Sequence, residues 1–214
     1  MITITTYRAV PARARGQVRD VRVRWALEEA GLSYSTRLLE PGENRGSLYR
    51  ARQPFGQVPL LEEDDLVLFE SGAIVLYIAE RSEALLPKDP KARARATAWV
   101  IAALNSVEPF LTNVAAIDLF FADESWAKQR RPDALQQLEQ RLAAVSESLG
   151  SKSYLDGEQF TAGDLMMASV LRILDYSDIA RRNPRLTAYL ERCLGRPAFQ
   201  RALTSHLTDV RAMA

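Results

Sequence analysis

Two short segments hold the side chains best suited to bind a small polar molecule. The first is Gln53-Pro54-Phe55-Gly56-Gln57-Val58-Pro59-Leu60-Leu61, and the second, beyond a short hairpin, is Phe69-Glu70-Ser71-Gly72-Ala73-Ile74. Pro59 has no N–H to give to a ladder, so a strand opening on Val58-Pro59 is expected to leave a sheet edge open. An extended ligand placed there can exchange main-chain hydrogen bonds with Val58, as in strand addition. A cis Val58-Pro59 bond would expose these groups, although cis accounts for only about 5–6% of such bonds and spacing alone favours trans. Glu70-Ser71 falls where a strand gives way to a helix. Free N–H groups and the helix dipole attract a carboxylate, Ser71 adds a hydroxyl and Glu70 can receive an ammonium, a set that suits an amino-acid head group. Taken alone, Ser71 as a helix N-cap and Glu70 as a surface charge is the simpler reading.

The elements that must position these residues follow from periodicity. Residues 2–7 read as a strand. Val23, Ala26, Leu27 and Ala30 recur at helical spacing, with Gly31 where a left-handed cap falls, which predicts a helix over 18–30. Strands are expected over 34–39, 58–61 and 66–69, the last two as a hairpin turning at Asp64-Asp65. Ile74, Tyr77, Ile78 and Arg81 predict a helix from Ser71 to about Ser82. This is an α/β domain over residues 1–82. The stretch 83–91 carries two prolines and reads as a linker, and 92–214 reads as an all-α domain with no further strand. Its first helix, marked by Ala92, Ala96, Trp99, Ala103, Val107 and Phe110, should kink at Pro109. Leu135, Leu138, Leu142, Val145 and Leu149 mark a second, and further helices are expected over 165–174, 185–194 and 197–207. Thr161 and Asp164 have the spacing of a capping box, with Phe160 and Leu165 as its apolar staple.

Composition narrows the functional classes. The 214 residues carry 28 Lys plus Arg against 27 Asp plus Glu, and a net charge of +1 offers no field for nucleic acid or a membrane surface. No apolar run approaches the roughly 18 residues of a membrane span, and Met1-Ile2-Thr3-Ile4-Thr5 lacks the features of a secretory signal, so a cytoplasmic location is expected. One cysteine, Cys193, and one histidine, His206, form no disulfide and no soft-metal cluster, so no metal is expected. Cys193 reads as buried and His206 as a surface residue.

The two binding segments together resemble the glutathione-binding half of the cytosolic glutathione transferases, in which a Val-Pro with a cis bond and a Glu/Gln-Ser pair follow in this order. Val21 to Gly31 is similar to the family's first helix, Leu155 to Asp164 to its capping segment, and Asn183 to Phe199 to its C-terminal pattern. The resemblance implies a thioredoxin-like α/β first domain and an all-helical second domain. It implies that Glu70 and Ser71 bind the γ-glutamyl end of glutathione, that Val58 pairs with its cysteinyl backbone, and that Gln57 reaches its glycyl carboxylate. It further implies a homodimer that conjugates glutathione, as cosubstrate, to a small apolar electrophile. Trp99, Phe110, Ile117, Phe120 and Phe121 supply apolar surface in the helical domain, where the electrophile is expected.

The chain departs from the family in the loop after the first strand. Gln17 stands where serine-type members have their catalytic serine, and Arg19 where some carry cysteine. No serine or threonine lies between Thr6 and Ser33. Tyr7, where tyrosine-type members place their hydroxyl, is the leading candidate to stabilise the thiolate, and Arg13, Arg15 and Arg19 offer guanidinium groups as an alternative. Cys193 lies far from this loop in sequence, which argues against a mixed-disulfide mechanism. A non-catalytic glutathione-binding or protein-interaction module is the rival reading.

Overall fold

The computed structural model describes residues 1–213, which contact divides into two compact units: Met1–Leu86 with the segment from Gly195 onward, and Pro87–Leu194. The first unit begins with strand β1 (Ile2–Tyr7), a short β2 (Ala9–Pro11), helix α1 (Asp20–Ala30) and β3 (Tyr34–Leu39). A short helix α2 (Ser47–Arg50), the hairpin β4 (Leu60–Glu63) and β5 (Leu66–Phe69), and helix α3 (Ser71–Ala79) follow. The sheet order is β3-β1-β4-β5, with β1 parallel to β3 and antiparallel to β4. Val21, Val23, Trp25 and Leu27 are buried along α1, and Gly31 closes that helix at φ 66° as its position predicted.

The hairpin runs as expected, but its place in the sheet does not. The first strand residue is Leu60, because Pro59 gives no ladder hydrogen bond and Val58 remains outside the ladder. Leu60 and Leu61 then pair with β1 on one side and β5 on the other, so β4 is interior and the edges are β3 and β5. The open groups at Val58 belong to the segment entering a central strand, not to a sheet edge.

The second unit is helical: α4 (Pro90–Ala102), α5 (Glu108–Phe120), α6 (Ser125–Leu149), α7 (Ala162–Leu171) and α8 (Pro184–Leu194). The interruption expected at Pro109 takes the form of a wide π turn over Ala103–Val107. It leaves Pro109 in the first turn of α5, where a missing N–H costs nothing. Contrary to the expectation that no apolar run approaches a membrane span, the stretch Pro90–Phe120 is 31 residues long and apolar enough, by length and composition, to cross a membrane. In this structure 44% of its most apolar window is buried inside the protein. Helix α6 starts at Ser125, well before Leu135, and carries Pro132 within it. Gly163 in α7 is a close approach, since a Cβ there would meet Trp99 Cβ at 2.5 Å. The capping box forms at the start of α7, and Phe160 and Leu165 are both buried.

The chain then returns to the first unit as α9 (Pro197–Asp209) and a short strand β6 (Arg211–Met213), which pairs in parallel with β2. Two expectations change here: the all-α segment placed over 92–214 gives up the part from Gly195 onward, and a further strand exists. Apolar burial explains the return, because Phe199 meets Trp25 edge-on at 4.8 Å between ring centres while Arg196 grips Glu29 at 2.6 and 2.8 Å. His206 is fully buried in this packing, contrary to its expected surface position, and Cys193 is buried as expected.

Candidate functional site

Strand register gathers the candidate residues. Thr5 of β1 lies opposite Leu60 of β4, and Leu60 lies opposite Phe69 of β5. Tyr7, two residues beyond Thr5, therefore falls at the same end of the sheet as Val58, two residues before Leu60, and as Glu70-Ser71, just beyond Phe69. Tyr7 also pairs with Leu39, the last residue of β3, which brings the loop over residues 40–46 to the same end. Packing agrees with the register: Tyr7, Val18 and Phe69 lie against a buried cluster of Leu39, Tyr49, Val58 and Leu60.

The segment leading to Val58 is held from behind. Buried Gln53 accepts from the Phe55 and Gln57 amides at 2.8 and 3.1 Å, and Tyr49 Oη donates to the Gln57 carbonyl at 2.6 Å. Asn44 Nδ2 donates to the Gly56 carbonyl at 2.7 Å. Gly56 has φ 64°, and a Cβ there would come within 2.7 Å of the Asn44 carbonyl oxygen, so only glycine fits. The Val58–Pro59 peptide is cis. Among the described residues nothing hydrogen-bonds the Val58 main-chain N–H or C=O, while its side chain is buried.

At α3 the N-cap is Glu70, not Ser71, and no side chain caps the helix, so the reading of Ser71 as a simple cap does not hold. Ser71 is the first helical residue, is buried, and accepts a long bond from Arg22 Nη1 at 3.4 Å. The first N–H groups of α3 are left for another partner. Glu70 has φ 69°, a conformation costing a non-glycine residue about 1–3 kcal/mol, which persists only where surroundings impose it. Its side chain is exposed and has no ion-pair partner among the described residues.

Tyr7 is half-buried and its hydroxyl has no hydrogen-bond partner among the described residues. Burial raises its pKa, and the charges of Arg19 and Arg45 partly offset this, so Tyr7 is a neutral O–H donor at pH 7. Tyr49 is pushed up to about 12, first by burial and then by neighbouring Tyr7. The three loop arginines separate: Arg15 is committed to the Val210 carbonyl at 2.9 Å and to that of Leu207, while Arg13 and Arg19 are exposed. Arg45, Tyr49 and Gln53 were missed by sequence reasoning. Gln53 stood at the head of the first binding segment, and its spacing of four from Tyr49 was the available signal for that tyrosine.

The apolar residues expected to face an electrophile have different surroundings within the second unit. Ile117 is core, Phe110 lies 4.4 Å beneath the Arg141 guanidinium, and Phe120 and Phe121 are exposed, Phe121 packing between Phe120 and Trp126.

Fold and site together define a protein with a thioredoxin-like first domain whose strand ends bring Tyr7, Val58 and Glu70-Ser71 to one end of the sheet. Residues 13–80 match the family model described as glutathione S-transferase, N-terminal domain, and residues 90–192 that described as glutathione S-transferase, C-terminal domain. Glutathione S-transferase PARB of Nicotiana tabacum is 30% identical over 175 residues, covering 76% of this chain and 80% of the relative. A glutathione S-transferase of Hyoscyamus muticus is 27% identical over 179 residues, covering 77% and 82%. Among solved structures, the theta class glutathione S-transferase from Xanthomonas axonopodis pv. citri, with glutathione bound, is 31% identical with a TM-score of 0.79, covering 96% of this chain and 98% of that one. The chain belongs to the glutathione S-transferase family.

Proposed function

We propose that the protein binds reduced glutathione at the sheet end built from Tyr7, Val58 and Glu70-Ser71, and conjugates its thiolate to a small apolar electrophile. The observation that carries the reading is the unpartnered main-chain pair of Val58, held out by Gln53 and Tyr49 beside the uncapped start of α3. A tripeptide supplies what each part lacks. Its cysteinyl backbone takes both main-chain groups of Val58, its γ-glutamyl carboxylate takes Ser71 and the first N–H groups of α3, and its ammonium takes Glu70. Gln57 is exposed and its amide reaches for the glycyl carboxylate. The protein acts as a cytoplasmic homodimer in this reading, and no metal takes part.

The chemistry required is thiol ionisation. A thiol of pKa about 8.5 is only a few per cent ionised at neutral pH, and lowering that value by two units takes about 2.7 kcal/mol. A neutral tyrosine hydroxyl donating to the thiolate, with Arg19 and Arg45 adding positive potential, supplies an effect of this size. Replacing Tyr7 by Phe is expected to raise the pKa of the bound thiol by about one unit and to lower kcat/KM about tenfold. Unchanged thiol titration in Tyr7→Phe would transfer the role to the arginines.

Calorimetric titration of the intact protein with reduced glutathione tests the binding half. Saturable one-site binding supports the reading, and its absence overturns it. Binding without turnover of any activated electrophile would leave the non-catalytic module as the function.

A further inference from the structure

The loop that leads from Tyr7 into α1 carries Gln17, Val18 and Arg19 to the site, yet much of what fixes it comes from the far end of the chain. Gly16 donates its amide hydrogen to His206 Nε2 at 3.1 Å. A main-chain N–H can only donate, so Nε2 is the acceptor and the ring hydrogen lies on Nδ1, which faces Asp20 Oδ2 at 3.0 Å. Asp20 and Arg24 are fully buried and paired at 2.8 Å, and Arg24 reaches Asp209 at 2.9 Å and Ser205 Oγ at 2.6 Å. One imidazole thus bridges the loop to the first turn of α1. Gly16, at φ 84°, lies against Leu203 and Leu207 of α9, and the Arg211 amide donates to the Arg8 carbonyl at 2.9 Å.

We propose that His206 is a positioning residue of the glutathione site, which it serves without touching the ligand. By accepting from Gly16 and donating to Asp20, it sets where the loop delivers Val18 against the Tyr7–Val58 cluster and Arg19 beside the Tyr7 hydroxyl. The catalytic half of this inference rests on the function proposed above. The loop-fixing half stands on the contacts themselves.

Two substitutions separate the arms of the ring. His206→Gln can still present an acceptor at the position of Nε2 but loses the donor to Asp20. His206→Asn keeps a donor near Nδ1 but is too short to reach Gly16. Hydrogen exchange read by mass spectrometry should rise about tenfold or more over residues 8–19 in His206→Asn and much less in His206→Gln. With reduced glutathione as the probe, thiolate absorbance titrated against pH should shift upward by about one unit in His206→Asn and stay near the parent value in His206→Gln. A purely structural role would lower thermal stability in both variants without moving that titration. Equal exchange over 8–19 in His206→Asn and the parent overturns the proposal.

Where His206→Asn does not fold, amide exchange in the intact protein decides. Gly16 should exchange more slowly than Arg15 and Gln17, whose amides close turns onto Ala12 and Ala14 carbonyls. A Gly16 amide that exchanges as fast as theirs overturns the proposal. Failure of the parent protein to bind glutathione would sink the proposed function and leave the exchange result to judge the loop contact alone.

Discussion

Asp164→Ala is expected to cost about 3–5 kcal/mol of stability, the largest effect of any single substitution considered for this chain. The carboxylate is fully buried and accepts from the Leu155 amide at 2.8 Å, the Thr161 amide at 2.9 Å, Thr161 Oγ1 at 3.1 Å and Tyr189 Oη at 3.1 Å. Burial raises its pKa while these four donors pull it back, so the carboxylate depends on the donors as they depend on it. Alanine strands the Leu155 and Thr161 amides together and leaves the Tyr189 hydroxyl its long 3.4 Å bond to the residue-164 carbonyl. Each buried donor left alone costs about 1–3 kcal/mol, and partial relaxation keeps the sum below the simple total. Thr161→Ala removes a cap and is expected to cost only about 1 kcal/mol. Urea denaturation checks both: the midpoint should fall with unchanged slope, and a midpoint within error of the parent for Asp164→Ala would refute the account.

Ser71→Ala should weaken binding of reduced glutathione roughly ten- to hundredfold while leaving stability nearly unchanged. A hydrogen bond to a charged group is worth about 1.5–3 kcal/mol, and every 1.4 kcal/mol is a factor of ten in affinity. The fold tolerates the change because alanine suits a first helical turn and the bond from Arg22 is a long 3.4 Å. Calorimetry with the variant gives the affinity and urea denaturation gives the stability. A variant that binds as tightly as the parent would remove the Ser71 hydroxyl from the site, and one that unfolds early would show the serine to be structural.

Local patterns carried much of both units. The helix ending at Gly31, the hairpin turning at Asp64-Asp65 and the box of Thr161 with Asp164 each rest on neighbours within a few residues, so a linear reading reaches them. The site segments were legible for the same reason, since Val58-Pro59 and Glu70-Ser71 each declare themselves by residue type. Their convergence was not, because it depends on Leu60 pairing with both Thr5 and Phe69. Sheet position escaped too: proline suggested an edge, and only the ladder shows that the strand following it is central. His206 was misread because burial of a lone histidine is decided by partners far away, Gly16 and Asp20. The start of α6 was missed because Pro132 suppressed a helical pattern that the fold tolerates near its N-terminal end.

The first unit takes its sheet from residues before Leu86 and its closing helix from residues after Gly195. On a ribosome these two parts emerge far apart in time. At about 5–20 residues per second, the chain between them takes roughly five to twenty seconds to make. During that interval Trp25, Asp20 and Arg24 lack the α9 surface that covers them, while the helices of Pro87–Leu194 are already complete in sequence. The helical unit can therefore finish folding before the binding unit whose synthesis began first, and a nascent chain interrupted short of Gly195 would leave the ribosome with the face of α1 bare.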